Sequence, residues 1–160
     1  MKKLKLYLET SVISSAIDNR EPDKTAQTLR LLDEIKEKGH EAFVSRIVLV
    51  EIAKADENTQ KKLLAVLQDI DPEELNIDKE AEALSGKYIS EGVIPQKYEN
   101  DALHIAVASV NGLDAVVSWN FSHMVNHKTR MEVMGINTFM GYRVIDICTP
   151  KEVAKDVSEI

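Results

Sequence analysis

A chain of 160 residues is long enough for one domain with a substantial core and short for two. With 44% apolar, 29% charged and only 5% aromatic residues, it excludes a disordered chain and rests any core on Leu, Ile, Val and Ala. A formal net charge of −7 argues against a module that coats nucleic acid by neutralising phosphates, but not against chemistry in which a metal ion supplies positive charge locally. The one cysteine, Cys148, excludes an intrachain disulfide and a thiolate-rich zinc site, and points to a reducing compartment. Lys5 and Glu9 interrupt the apolar stretch that follows Lys2 and Lys3, so no secretory signal core forms. No run approaches a membrane span. The expectation is a soluble, cytoplasmic protein with no membrane contact.

Residues 4–8 alternate apolar and polar at period two and predict a strand, followed by a short apolar stretch at 12–17. Asp18-Asn19-Arg20-Glu21-Pro22 reads as a turn. Ala26, Leu29, Leu32 and Ile35 give helical spacing over 23–38, with Gly39 as the stop. A second strand falls at 42–44, and Ser45 is placed to cap a helix over 47–55. A helix over 59–69, a weak strand at 75–77 and a helix from Asp78 to about Ser90 follow. An apolar helix covers 100–110 and ends at Asn111-Gly112. Residues 115–118 form an apolar strand without alternation, as expected when both faces are buried. A polar segment with helical potential runs to about 134, and the last strand lies at 143–147. Thr149 then caps a short helix with Pro150 at its first position. Strands separated by helices predict one α/β domain, 1–160, with a mostly parallel sheet covered on both faces.

In such sheets, functional groups gather past the C-terminal ends of strands. Glu9 and Asn120 occupy that place. Glu51 interrupts the apolar run from Ile47 to Ala53, and Asp101 heads the apolar helix Ala102-Leu103-His104-Ile105-Ala106. Each has a plainer explanation: a solvated strand end for Glu9, an ion pair with Lys54 for Glu51, a helix-dipole contact for Asp101, a turn for Asn120. Together they suggest a carboxylate cluster, whose mutual repulsion calls for a cation, and oxygen ligands suit Mg²⁺ or Mn²⁺. His104 reads as a satisfied core histidine. His123 and His127, four apart, are compatible with one helix face and with zinc, though no further ligand pattern accompanies them. Met124, Met131, Met134 and Met140 read as packing internally or in an interface.

Leu6-Tyr7-Leu8-Glu9-Thr10-Ser11-Val12-Ile13 resembles the opening strand and turn of PIN domains, which usually read Asp-Thr-Ser or Asp-Thr-Asn. Val50-Glu51-Ile52 is similar to that family's helical glutamate, and Asp101-Ala102-Leu103-His104-Ile105-Ala106 to its helix-leading aspartate motif. Val117-Ser118-Trp119-Asn120-Phe121-Ser122-His123 resembles its last metal-proximal strand and turn. The resemblance implies a three-layer α/β/α sandwich and metal-dependent hydrolysis of RNA. In that scheme Glu9, Glu51 and Asp101 hold Mg²⁺ or Mn²⁺ directly or through water, and Asn120 orients a water or a substrate oxygen. Thr10, Ser11 and Ser118 aim the carboxylates, or serve as capping and turn groups. The chain departs from the family pattern in having Glu9 in place of Asp and Asn120 at a position acidic in many members.

The leading reading is therefore a metal-dependent endoribonuclease, the toxin half of a toxin–antitoxin pair by resemblance alone, with RNA as substrate, an antitoxin as partner and a homodimer in view. The alternative is a catalytically weakened module that binds RNA or protein. A receiver-like phosphate-handling domain is the third. It lacks a Lys in the expected setting after a late strand, and no glycine-rich phosphate loop is present.

Overall fold

The computed structural model describes residues 2–154; residue 1 and residues 155–160, the ends of the expected 1–160 span, lie outside the described residues. Among the described residues five strands form one parallel sheet: β1 (Lys5–Leu8), β2 (Glu41–Ser45), β3 (Glu73–Leu75), β4 (Ala115–Val117) and β5 (Asp146–Cys148). Their order across the sheet is β3-β2-β1-β4-β5. Between them run α1 (Thr10–Ser15), α2 (Pro22–Lys36), α3 (Arg46–Ile52), α4 (Glu57–Ile70), α5 (Lys79–Ser90), α6 (Glu99–Val110) and α7 (His127–Met140), with α8 (Pro150–Val153) after β5. The helices α1 to α4 pack among themselves, and α5 packs on α6 and α7. Right-handed crossovers place these two groups on opposite faces, giving the α/β/α sandwich. Leu6, Tyr7 and Leu8 in β1 and Val116 and Val117 in β4 are fully buried, as central strands between two helical layers must be.

Several boundaries follow local chemistry. Ser45 accepts the Ile47 amide and starts α3, Asp78 accepts the Ala81 amide and starts α5, and Thr149 forms a reciprocal capping box with Glu152. Others differ from the sequence expectation. Of residues 12–17, the first four belong to a helix that begins at Thr10, is capped by Glu9 and ends at Ser15; Ala16 and Ile17 form the turn after it. The second helix stops before Gly39, because Lys38 itself takes the left-handed conformation at φ 64. The polar segment after β4 stays irregular until Asn126, whose side chain accepts the Thr129 amide and starts α7. That helix then runs past 134 to Gly141, which closes it at φ 85. The last strand begins only at Asp146, because its partner β4 begins at Ala115, the register partner of Asp146. The weak strand lies at Glu73–Leu75 rather than 75–77, in register with Phe43–Ser45. Met124 is buried, whereas Met131, Met134 and Met140 are exposed beside Phe139, which is 83% exposed. No helix among the described residues is long and apolar enough to cross a membrane.

Candidate metal centre

The chain leaves β1 toward β2 on one side of the sheet and β4 toward β5 on the other. This opens a crevice beyond the C-terminal ends of β1 and β4. Leu8 and Val117 are register partners, and the Glu9 amide donates to the Val117 carbonyl at 3.1 Å, so Glu9 and Ser118 meet across this crevice.

Glu9 is 6% exposed and its side chain folds back over the turn it starts. Oε2 accepts the Ser11 amide at 2.9 Å, capping α1, while Oε1 accepts the hydroxyls of Ser11 at 2.6 Å and Ser118 at 2.5 Å. Those hydroxyls in turn accept the amides of Trp119 (2.8 Å) and Asn120 (2.9 Å), which leaves their protons for Glu9. Thr10 serves a different acid. Its hydroxyl donates to Glu51 Oε1 at 2.6 Å.

Glu51 Oε1 has a second partner, His104 Nε2 at 2.7 Å. His104 is fully buried, and its Nδ1 meets the Tyr7 hydroxyl at 2.5 Å; that hydroxyl also meets Ser45 Oγ at 2.7 Å. One assignment satisfies every atom: Ser45 donates to Tyr7, Tyr7 donates to Nδ1, and Nε2–H donates to Glu51. Burial pushes the Tyr7 hydroxyl far above its ordinary pKa, so it stays protonated as this relay requires. Burial also acts to raise Glu51. The contact with His104, the Thr10 hydrogen bond and nearby Lys54 outweigh it, and the carboxyl lies below its usual range.

Asp101, in the first turn of α6, is raised above its ordinary value. Burial is the main cause and the charge of Glu9 the next; His104 and His123 oppose them, and Glu51 adds a smaller push. Asp101 Oδ2 takes the Asn120 side-chain amide at 3.2 Å and lies 3.5 Å from His123 Nδ1. Asn120 Oδ1 accepts the His123 amide at 3.1 Å, which fixes the Asn120 side chain at the rim. The His123 ring stacks on Tyr98 at 3.8 Å between centroids. The pairing of His123 with His127 on one helix face does not hold, since His123 lies in the turn before α7 and His127 is that helix's first residue. Lys128 and Arg130 pair with Glu132 and Glu152.

Glu9, Glu51 and His104 each offer a ligand atom, all within 4.8 Å of one another. Both nitrogens of His104 are already engaged, so the open donors are oxygens. Among the described residues, neither Glu51 Oε2 nor Asp101 Oδ1 receives a hydrogen bond. Clustered, partly buried carboxylates with open lone pairs fit a hard divalent cation.

A sequence model of the PIN domain matches residues 6–120, a span that opens inside β1 and closes on Asn120. The chain belongs to the PIN-domain family. Three solved structures share the fold. A chain of VapBC2 from Rickettsia felis, bound to a DNA fragment from their promoter, is 19% identical with a TM-score of 0.57, covering 91% of this chain and 98% of that one. A chain of DNA-bound VapBC from Salmonella typhimurium is 19% identical with a TM-score of 0.53, covering 92% and 98%. A chain of VapBC-5, a member of the VapBC family of toxin-antitoxin systems from Mycobacterium tuberculosis, is 17% identical with a TM-score of 0.51, covering 91% and 98%. Among curated proteins none matches.

In this PIN domain the structure gathers Glu9 and Glu51 with His104, sets Asp101 outside that group but near enough to feel the charges of Glu9 and Glu51, with Asn120 at its side, and places Thr10, Ser11 and Ser118 against Glu9 and Glu51. Sequence reasoning missed Tyr7, Ser45 and the tie from His104 to Glu51. The sequence held only partial signals, none naming the partner: His104 follows Asp101 by three residues, on the same helix face, and a buried tyrosine needs a partner for its hydroxyl.

Proposed function

We propose that this PIN domain is a divalent-metal-dependent endoribonuclease, one cytoplasmic domain acting as the toxin of a toxin–antitoxin pair. Glu9, Glu51 and Asp101 would hold Mg²⁺ or Mn²⁺, directly or through water. The observation that carries the reading is the set of open carboxylate oxygens in the crevice: Asp101 Oδ1 and Glu51 Oε2 lack hydrogen-bond donors among the described residues, and Asp101 is raised by burial and by the charge of Glu9. When bound, the ion supplies Lewis acidity to a phosphate and to water in the crevice. The chain's own residues do the rest. Ser11 and Ser118 fix the rotamer of Glu9, and Thr10 and the His104–Tyr7–Ser45 relay fix that of Glu51. Asn120, held by the His123 amide, presents its side-chain amide beside Asp101, where it can donate to a water or a phosphate oxygen.

An antitoxin partner is proposed on two grounds. The similar solved structures are VapBC complexes, and α7 leaves Met131, Met134, Phe139 and Met140 exposed, which suits a protein partner or a second copy. One observation favours the alternative of a weakened RNA- or protein-binding module: three donors already occupy the Glu9 carboxylate. Cleavage of a panel of structured RNAs with Mn²⁺, Mg²⁺ or chelator separates the two. The nuclease reading expects cutting with metal, none with chelator, and at least a hundredfold loss in Asp101→Asn, on the order of what one misplaced catalytic group costs. Binding without cutting under every condition would give the module reading the better claim.

A further inference from the structure

Helices α5 and α6 pack against each other, and their outer seam opens into a groove of about 490 Å³, within the roughly 300–1,000 Å³ range of ligand clefts. On α5, Glu82, Ser85, Gly86 and Ile89 lie three and four residues apart on one face and line the groove, while Leu84 and Tyr88 take the core side. On α6 the groove is bordered by Leu103, two residues beyond Asp101 and so on the opposite side of the helix. The groove is therefore separate from the carboxylate crevice.

Three of its features have no account within the chain. Gly86 sits inside a helix without the positive φ that would require glycine, and a methyl group there would meet no atom within 4 Å. Alanine would make the better helix at that position. Ser85 is 4% exposed, yet its hydroxyl meets no hydrogen-bond partner among the described residues. Leu103 is half-buried but lies outside the core cluster. At the rim, Glu82 and Glu99 pair with no cation among the described residues; the Glu99 carboxylate meets the Gln96 side-chain amide, at 3.4 Å.

We propose that this groove is a docking site for a short basic amphipathic helix of a partner protein. The apolar face of that helix lies over Gly86, Ile89 and Leu103, and lysines or arginines on its flanks meet Glu82 and Glu99. A glycine on a helix surface lets another helix approach its backbone closely, and amphipathic helices dock in apolar grooves through residues three and four apart. Charge decides among the occupants. Unpaired rim acids repel an anionic lipid surface or a nucleic acid, and a second copy of this chain brings its own net charge of −7. The proposal is independent of the nuclease reading.

The probe is a labelled synthetic helical peptide with leucines three and four residues apart and lysines on both flanks, matched to one with glutamate in place of each lysine. The full chain, kept in chelator, is titrated with each. Anisotropy of the label gives the affinity, and amide shifts in heteronuclear NMR give the place. The expected result is saturable binding of the lysine peptide alone, with shifts centred on Ser85, Gly86 and Leu103. Gly86→Leu fills the groove with a good helix former and is expected to melt no lower than wild type, while binding the peptide about tenfold more weakly. Glu82→Gln with Glu99→Gln is expected to weaken binding about fivefold at low salt, the order of two surface charge pairs. No saturable binding, equal binding of the glutamate peptide, shifts centred elsewhere, or wild-type affinity in both variants would overturn the site. So would Gly86→Leu melting below wild type, which returns the glycine to the needs of the fold. Concentration-dependent self-association that Gly86→Leu abolishes would also overturn it, giving the groove to a second copy.

Discussion

Asp101 is the residue at which stability and proposed function oppose each other. Its carboxyl is raised in the folded protein, so the fold holds that proton more tightly than the unfolded chain does. The contribution to stability is fully present below the ordinary value of 3.8 and is lost as pH rises through the folded value. At neutral pH the ionised Asp101 therefore costs the metal-free fold stability. Asp101→Asn is expected to melt higher than wild type at neutral pH in chelator, with the gap closing as pH falls toward 3.8. Asp18, Asp56 and Asp114 are lowered and act with the opposite sign, but they are common to both proteins and cancel in the comparison; Glu51, also lowered, repels the ionised Asp101 and adds to the gain expected for Asp101→Asn. A melting temperature for Asp101→Asn below wild type in chelator would contradict the crowded-anion account. Glu9 differs, because its carboxylate already accepts three hydrogen bonds. Glu9→Asp keeps the charge and the preferred capping chemistry, and is expected to retain or increase metal-dependent cleavage. Glu9→Gln keeps the size and loses the charge, and is expected to cut at least tenfold more slowly at limiting Mn²⁺, the cost of about 1.4 kcal/mol in transition-state stabilisation. Equal cleavage by Glu9→Gln would remove Glu9 from the ligand set.

At the scale of elements, α1 and the turn after β4 are joined through Ser11, whose hydroxyl donates to Glu9 and accepts the Trp119 amide. Ser11→Ala breaks both links at once and is expected to cost about 1–3 kcal/mol, the penalty for leaving partly buried polar partners unmatched. Denaturant midpoints would measure it, and an unchanged midpoint would show that the two elements are held by apolar packing instead. The same elements show what the sequence can and cannot disclose. The helix starts at Ser45, Asp78 and Thr149 were legible because capping is local chemistry, and β1 and β4 were legible from their apolar patterns. The helix α1 was not recognised, since six residues carry too little periodicity and its cap is a glutamate, an uncommon capping residue. β3 exposes Glu73 and Glu74 and buries Leu75, so its position is set by pairing with β2 rather than by its own pattern. The full length of α7 was missed because its signals, Asn126 and Gly141, lie outside the periodic stretch.

For the whole molecule, the sheet order brings together residues that are far apart in the chain: Glu9 and Ser118 lie 109 positions apart, and Glu51 and His104 lie 53 apart. The acids of the candidate site were legible as polar interruptions of apolar elements and through the family resemblance. The relay from Ser45 through Tyr7 and His104 to Glu51 was not, because a strand, a cap and a helix converge there only after folding. The central claim is that this convergence makes a divalent-cation site. The most direct test is titration of Mn²⁺ into metal-stripped protein, with free ion followed by its electron paramagnetic resonance signal. The account predicts saturable loss of the free-ion signal in wild type and at least tenfold weaker binding in Asp101→Asn and Glu51→Gln, each removing about 1.4 kcal/mol or more of attraction. A free-ion signal that rises in step with added Mn²⁺, or binding unchanged in both variants, would contradict it.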